Sequence, residues 1–137
     1  LAKGMLTGKY RKGERTPDSL RAKFFPKAMS DEGSLDAVEQ LIPLAESAGI
    51  SLMHMALAFV ISHPALTAAI IGPRTEEQLD GLLSGATVQL SDEVLDRIDE
   101  IVPPGADVAP LEGAAYSPPA ITNKSLRRRD YADRTAA

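Results

Sequence analysis

The sequence predicts an α/β protein of which it supplies only a part. Three observations lead there. Several segments space their apolar residues as amphipathic or buried helices do, and one short β-branched run passes through Gly72-Pro73 into a capped helix. The third is that no second run exists to pair with the first, and a lone strand with two open edges is not a stable sheet.

Taken in order, 9–34 is rich in Lys, Arg, Gly, Pro and Ser with no apolar period, which predicts a long surface loop. Leu35, Val38, Leu41, Ile42 and Ala45 then follow helical spacing, with Ser34 as the expected N-cap and Gly49 just past the end. Ser51 caps a second helix, Leu52 to Ser62, whose near-continuous apolar character predicts burial on most sides, and His63-Pro64 ends it. Thr67 to Ile71 has the length and β-branched ending of a buried parallel strand. Thr75 caps the helix from Glu76 to about Leu83, with Glu77 and Gln78 placed for a capping box. Ser91-Asp92-Glu93 opens a helix with the stripe Val94, Leu95, Ile98 and Ile101, which Pro103-Pro104-Gly105 stops. Beyond Gly105 the periodicity is lost, and an extended or partly disordered tail is expected. No internal repeat suggests a solenoid.

Composition narrows the function classes. The chain has 137 residues, 44% of them hydrophobic, enough for the core of one domain. Cysteine is absent and the two histidines are far from forming a metal cluster, so disulfides and thiolate metal sites are excluded and no metal is expected. A cytoplasmic location is expected on the same ground. The net charge of -4 opposes general affinity for nucleic acid or anionic membrane. Arg127, Arg128 and Arg129 are a local exception, and beside Asp130 and Asp133 they read as a solvated tail rather than a binding patch. The longest apolar stretch, Met53 to Ile61, is about half the roughly 20 residues a membrane helix needs. The chain starts at Leu1 with no signal-peptide succession, which reads as a cut edge.

The chemistry concentrates in Ile70-Ile71-Gly72-Pro73-Arg74-Thr75-Glu76-Glu77-Gln78-Leu79. A glycine at a strand end followed by an arginine and a hydroxyl at a helix start is a phosphate site by geometry. Free backbone N–H groups and the helix dipole favour an anion there, and the guanidinium fork pairs with phosphate oxygens. An ordinary capped helix carrying a solvent-exposed arginine fits the same pattern, and the residues alone do not separate the two. Asp31-Glu32 and Asp92-Glu93 sit where helix starts attract acids and read as structural.

That stretch resembles the end of the last barrel strand and following helix of aldo-keto reductases, in the branch reading IIGPRTxEQL. Ser51 to Pro64 resembles its alanine-rich buried helix and Ser-His-Pro turn, LAKGMLTGKY its loop after the seventh strand, and LSDEVLDRIDEIVPPG its C-terminal helix and stop. The four segments run in the family's order over about 1–105, leaving 106–137 as a variable C-terminal extension. The resemblance implies a TIM-type (β/α)8 barrel, of which this chain is about the last two βα units, the C-terminal helix and the tail. Such barrels hold phosphate with the loops after strands seven and eight. It also implies NADP(H): Gly72 lets backbone approach the cofactor, Arg74 meets the 2′-phosphate, and Gln78 approaches the adenine. Leu1, Ala2, Gly4 and Leu6 wrap the pyrophosphate through backbone N–H groups, Lys9 lies near it, and Arg21 matches a second basic contact. The family often has an asparagine at the position of Leu82; an apolar Leu82 cannot make its hydrogen bond and reads as core.

The implied reaction is reduction of a small-molecule aldehyde or ketone, with a tyrosine proton donor supported by an aspartate, a lysine and a histidine. None of Tyr10, Tyr116, Tyr131, His54 or His63 matches those positions. All four functions are expected upstream of Leu1, so no catalytic residue is assigned and the segment alone is expected to be inactive and poorly stable. His54 reads as a packed histidine with a hydrogen-bond partner and His63 as part of a helix stop. The competing reading is a non-catalytic nucleotide-binding or interaction module, like the reductase-related β subunits of potassium channels. A third, a basic-tailed nucleic-acid binder, rests on Arg127 to Arg129 alone and is opposed by the charge.

Overall fold

The computed structural model of the chain describes residues 1–108 and 118–135. The chain enters through a kinked 3-10 turn, Ala2–Thr7. The helices that follow are α1 (Leu20–Phe24), α2 (Pro26–Met29), α3 (Glu32–Ser47), α4 (Leu52–Ile61), α5 (Glu76–Ser84), α6 (Asp92–Ile101), α7 (Pro119–Thr122) and α8 (Lys124–Arg127). No single described helix is long and apolar enough to cross a membrane.

Three of the four long helices start where their capping residues dictate. Ser51 Oγ accepts from His54 N, Thr75 Oγ1 from Gln78 N and Ser91 Oγ from Val94 N, each satisfying one N–H that the first turn leaves without a partner. At α3 the cap is Asp31, whose Oδ2 accepts from Ser34 N at 2.8 Å, and not Ser34 itself. The apolar period begins only at the first buried residue, Leu35, so it misses an opening turn whose residues face solvent. Gly49 closes α3 in the left-handed region at φ 71, and the following Ile50 N reaches back to Ala45 O at 3.1 Å.

The core lies between α3, α4 and α6. Val38, Leu41 and Ala45 from α3, Leu52, Met55 and Ala58 from α4, and Leu95 and Ile98 from α6 are buried together, with Met5, Tyr10 and Leu90. Each large apolar side chain so buried contributes about 1.5–3 kcal/mol. The burial of α4 is one-sided, however: Phe59 and Val60 are exposed, because no sheet packs on that flank among the described residues.

The run 67–71 forms no strand, and no strand occurs among the described residues. A strand exists only through a ladder with a neighbour, and none is present; Ile70 is fully exposed. The expected loop 9–34 ends at Asp31, where α3 begins, and is interrupted by two short helices and stapled to α3. Arg11 Nε and Nη2 donate to the two carboxylate oxygens of Glu39 at 2.8 Å each, and Lys12 N donates to the same carboxylate at 3.0 Å. Arg11, then the Lys12 amide, hold the Glu39 carboxyl down to about 2.

The C-terminal segment departs most from expectation. In place of an extended tail, 118–135 is a series of short turns folded back on the core, whereas the expectation for 109–117 and 136–137 lies outside the described residues. Asp92, Asp96 and Asp99 occupy one face of α6, and the arginines dock on it. Both Nη atoms of Arg127 donate to the Asp99 carboxylate, Nη1 at 2.9 Å, while Arg128 Nη2 reaches Asp99 at 2.6 Å and Asp96 at 2.8 Å. Arg134 donates to Asp92 Oδ1 and Leu90 O at 2.8 Å each. The Arg127 and Arg128 side chains are only 8% and 6% exposed. The solvated-tail reading is therefore corrected: acids distant in sequence but aligned on one helix face collect the charges.

Candidate functional site

A cleft of about 910 Å³ opens between the entering turn, α4 and the segment that leads into α5. Leu1, Lys3, Gly4, Thr7 and Lys9 form one side; Met53, Ala56, Leu57 and Val60 on the uncovered flank of α4 form another. The third wall is the run from Ala68 to Arg74 and the first turns of α5, with Glu77, Gln78, Gly81 and Leu82. The cleft thus gathers six of the sequence-predicted residues: Leu1, Gly4, Lys9, Gly72, Arg74 and Gln78. Ala2 and Leu6 face instead a neighbouring, largely apolar pocket of about 850 Å³ that also touches Leu1. The side chain of Arg21 lies outside the described residues.

The turn that carries Leu1 to Lys9 is unusual backbone. Ala2, Lys3 and Gly4 stand in sequence at φ 46, 55 and 99, a left-handed stretch that is easy for glycine and costs a residue with a Cβ. It curls the chain so that Gly4 N and Leu6 N both donate to Leu1 O, at 2.8 and 3.3 Å. Those two amides are committed within the turn. Thr7 Oγ1 donates to Gly4 O at 2.7 Å and fixes the turn from the other end.

On the facing wall, Gln78 places its side-chain oxygen over the backbone of Arg74, accepting from Arg74 N at 2.9 Å. This is a displaced capping box: Gln78 serves the N–H one residue before the cap. Arg74 itself is exposed, and its guanidinium makes no hydrogen bond or ion pair among the described residues. A Cβ built on Gly72 would meet no atom within 4 Å. Protein packing therefore does not require glycine at 72, which leaves room for a ligand to approach the backbone. With Lys9, whose Nζ lies 4.9 Å from the Tyr10 ring centroid, the cleft carries cationic groups on two sides. That arrangement suits an elongated ligand with separated anionic groups and a flat apolar part against α4.

The residues set aside as non-catalytic have structural partners. Tyr10 is buried with its hydroxyl 3.0 Å from Ser19 Oγ, and Tyr131 lies under the Arg134 guanidinium; Tyr116 is outside the described residues. His54 Nε2 is 2.7 Å from Gly81 O, the packed histidine expected. His63 accepts from Ala65 N at Nδ1, so its Nε2 carries the proton and donates to Ala120 O at 2.8 Å. Leu82 is buried, as its apolar character implied. Sequence reasoning missed the α4 wall of the cleft. The signal was the helix's all-round apolar surface, more than α3 and α6 can cover. It also missed Lys3 and Thr7, which no pattern separated from their neighbours.

The model of the Aldo/keto reductase family matches residues 1–103. An Arabidopsis thaliana protein named as a probable voltage-gated potassium channel subunit beta is 32% identical over 108 residues, 74% of this chain and 33% of its own length. The Bacillus subtilis uncharacterized oxidoreductase YrpG is 35% identical over 109 residues, 78% of this chain and 32% of that protein. Protein tas of Escherichia coli is 32% identical over 103 residues, 74% and 30% of the two chains. The chain spans about a third of the length of these curated relatives.

Proposed function

The chain belongs to the aldo/keto reductase family, and from that premise we propose that residues 1–105 are the C-terminal part of a (β/α)8 barrel that reduces aldehyde or ketone carbonyls with NADP(H). Residues 106–137 are then its C-terminal extension, and the whole protein works in the cytoplasm. In this reading the run 67–71 finds its ladder partners in barrel strands outside the chain, and the exposed Phe59 of α4, outside the cleft, packs on the completed barrel. The cofactor supplies the hydride. This chain holds it: Arg74 pairs with the 2′-phosphate at the start of α5, Gly72 lets the backbone come close, and Gln78 sets the Arg74 backbone from which that pairing is made. Leu1, Gly4 and Lys9 attend the pyrophosphate, and Ala2 and Leu6, facing the neighbouring pocket, shape the turn that presents them. Because the amides of Gly4 and Leu6 already donate to Leu1 O, the turn acts chiefly through its shape and the Lys9 charge. The proton donor and its partners belong to the rest of the barrel.

One observation carries the reading: an unpaired guanidinium at a helix N-terminus, beside a glycine the fold does not need, inside a cleft that also carries Lys9. NAD offers a neutral hydroxyl where NADP offers a phosphate. A charge-assisted pair contributes about 1.5–3 kcal/mol. In the whole protein, Arg74→Met should therefore raise the Kd for NADPH about ten- to hundredfold and leave that for NADH nearly unchanged. Equal weakening of both would make Arg74 a support for the helix start, and no change would remove it from the site.

A second reading is favoured by the relatives named as potassium channel β subunits: the whole protein is a nucleotide-binding partner subunit with no turnover of its own. Oxidation of bound NADPH by a panel of aldehydes in steady state separates the two.

A further inference from the structure

The nucleotide reading leaves unused the arginine that reaches the core at a different place from its neighbours. Arg127, Arg128 and Arg134 dock on α6; Arg129 turns to the end of α4. Its backbone N donates to Ser62 O at 2.8 Å, Nε to Ile61 O at 3.2 Å and Nη2 to Leu66 O at 2.7 Å. The first two carbonyls are among those a helix leaves without partners at its C-terminal end. The third belongs to the turn that delivers the next segment. One side chain thus joins the last turn of α4 to the start of the cleft's third wall, and both Val60 and Leu66 line that cleft.

The wall depends on this joint because little else holds it. Residues 67–73 make no hydrogen bond among the described residues; the run is fixed at one end by Leu66 and at the other by the Arg74–Gln78 contact. The anchor is itself well fixed. Arg134 Nε donates to Arg129 O at 2.9 Å, and the α6 ion pairs secure the chain on either side. An arginine suits the task, since its rigid fork can serve two carbonyls at once where a lysine reaches one.

We infer that Arg129 is a positioning residue for the cleft: by tying Ile61, Ser62 and Leu66 together it sets where the segment carrying Gly72 and Arg74 begins. The C-terminal segment 118–135 is then a working part of the binding site although no atom of it touches the ligand. This rests on the nucleotide reading for the identity of the ligand, but not for the mechanical link.

Two measurements on the whole protein test it, with Arg127→Met as the control because the Arg127 side chain, more deeply buried than Arg129, bonds only to α6. In Arg129→Met without ligand, amide hydrogen exchange of 62–74 should accelerate strongly, while Arg127→Met should act first on 118–135 and α6 and accelerate 62–74 much less, because the Arg129 bonds themselves remain. Loss of these bonds should raise the Kd for NADPH about three- to tenfold in Arg129→Met, with the NADPH-to-NADH preference preserved because Arg74 is intact. Arg129→Lys should recover part of the loss. Unchanged exchange in 62–74, or equal weakening of NADPH binding by both methionine variants, overturns the inference. If the wild-type protein binds neither dinucleotide, the nucleotide reading falls, and the exchange comparison still decides the role of Arg129.

Discussion

Arg74 and the arginines of 118–135 carry the same charge and meet opposite fates. Arg74 stands exposed with no partner among the described residues, on a run that makes no ladder. Arg127, Arg128 and Arg134 are withdrawn from solvent and their charges are met by Asp92, Asp96 and Asp99. A cation serves the fold when its compensation is built in, and serves a ligand when the compensation is left out. Arg74 and the RRR run are each, in the sequence, arginine with acids a few positions away. Only the positions of the acids distinguish them.

The largest effect expected from this contrast comes from removing a shared acid. Asp99, 17% exposed, accepts from both Arg127 and Arg128. Asp99→Ala leaves two withdrawn guanidinium groups short of a partner, and breaking such a pair costs about 3–5 kcal/mol. Trypsin should then cleave at 127–134 much faster than in the wild-type protein; unchanged cleavage would mean that the arginines are held by their backbone alone. Acid should act in the same direction more gently. Arg134 first, and Arg128 after it, lower the Asp92 carboxyl, while Lys124 and then Arg128 lower that of Asp96. Because the folded form holds these groups below their unfolded value, the stability they contribute is present above the ordinary carboxylate range near pH 4 and is lost as pH falls further. Protection factors for amide exchange in 118–135 should fall below about pH 4, ahead of those in the α3–α4 core. The smallest effect belongs to the unpaired member: Arg74→Met should leave the unfolding free energy from urea titration within about 0.5 kcal/mol of wild type, since a solvated side chain without partners stabilises nothing. A larger loss would place Arg74 with the structural arginines.

The same distinction between local and distant partners explains what was legible in the sequence. Ser51, Thr75 and Ser91 cap as predicted because a cap acts on an N–H three residues away. The apolar stripes of α3 and α6 were readable for the same reason. The strand expected at 67–71 has β-branched residues but no ladder in the described residues, since pairing is a property of two segments and only one is present. The arginine contacts span 28 to 68 positions in sequence, beyond any local pattern. At the cleft, the motif singled out Gly72, Arg74 and Gln78, which stand on one wall. It gave no hint that Gln78 would be occupied with the Arg74 backbone, or that Ala2 and Leu6 would turn toward the neighbouring pocket.

The joint between Arg129 and the end of α4 also has a consequence in time. Ile61 O and Ser62 O receive these bonds from a residue made 68 and 67 positions later. At roughly 5–20 residues per second, a ribosome that has finished α4 needs on the order of 3–14 s more to deliver Arg129. Through that interval α4 ends in open carbonyls and the turn after it is unclamped. Folding of this region is thus ordered by synthesis: the core of α3, α4 and α6 can assemble first, and the wall that bears Arg74 settles only when the last turns of the segment have left the exit tunnel.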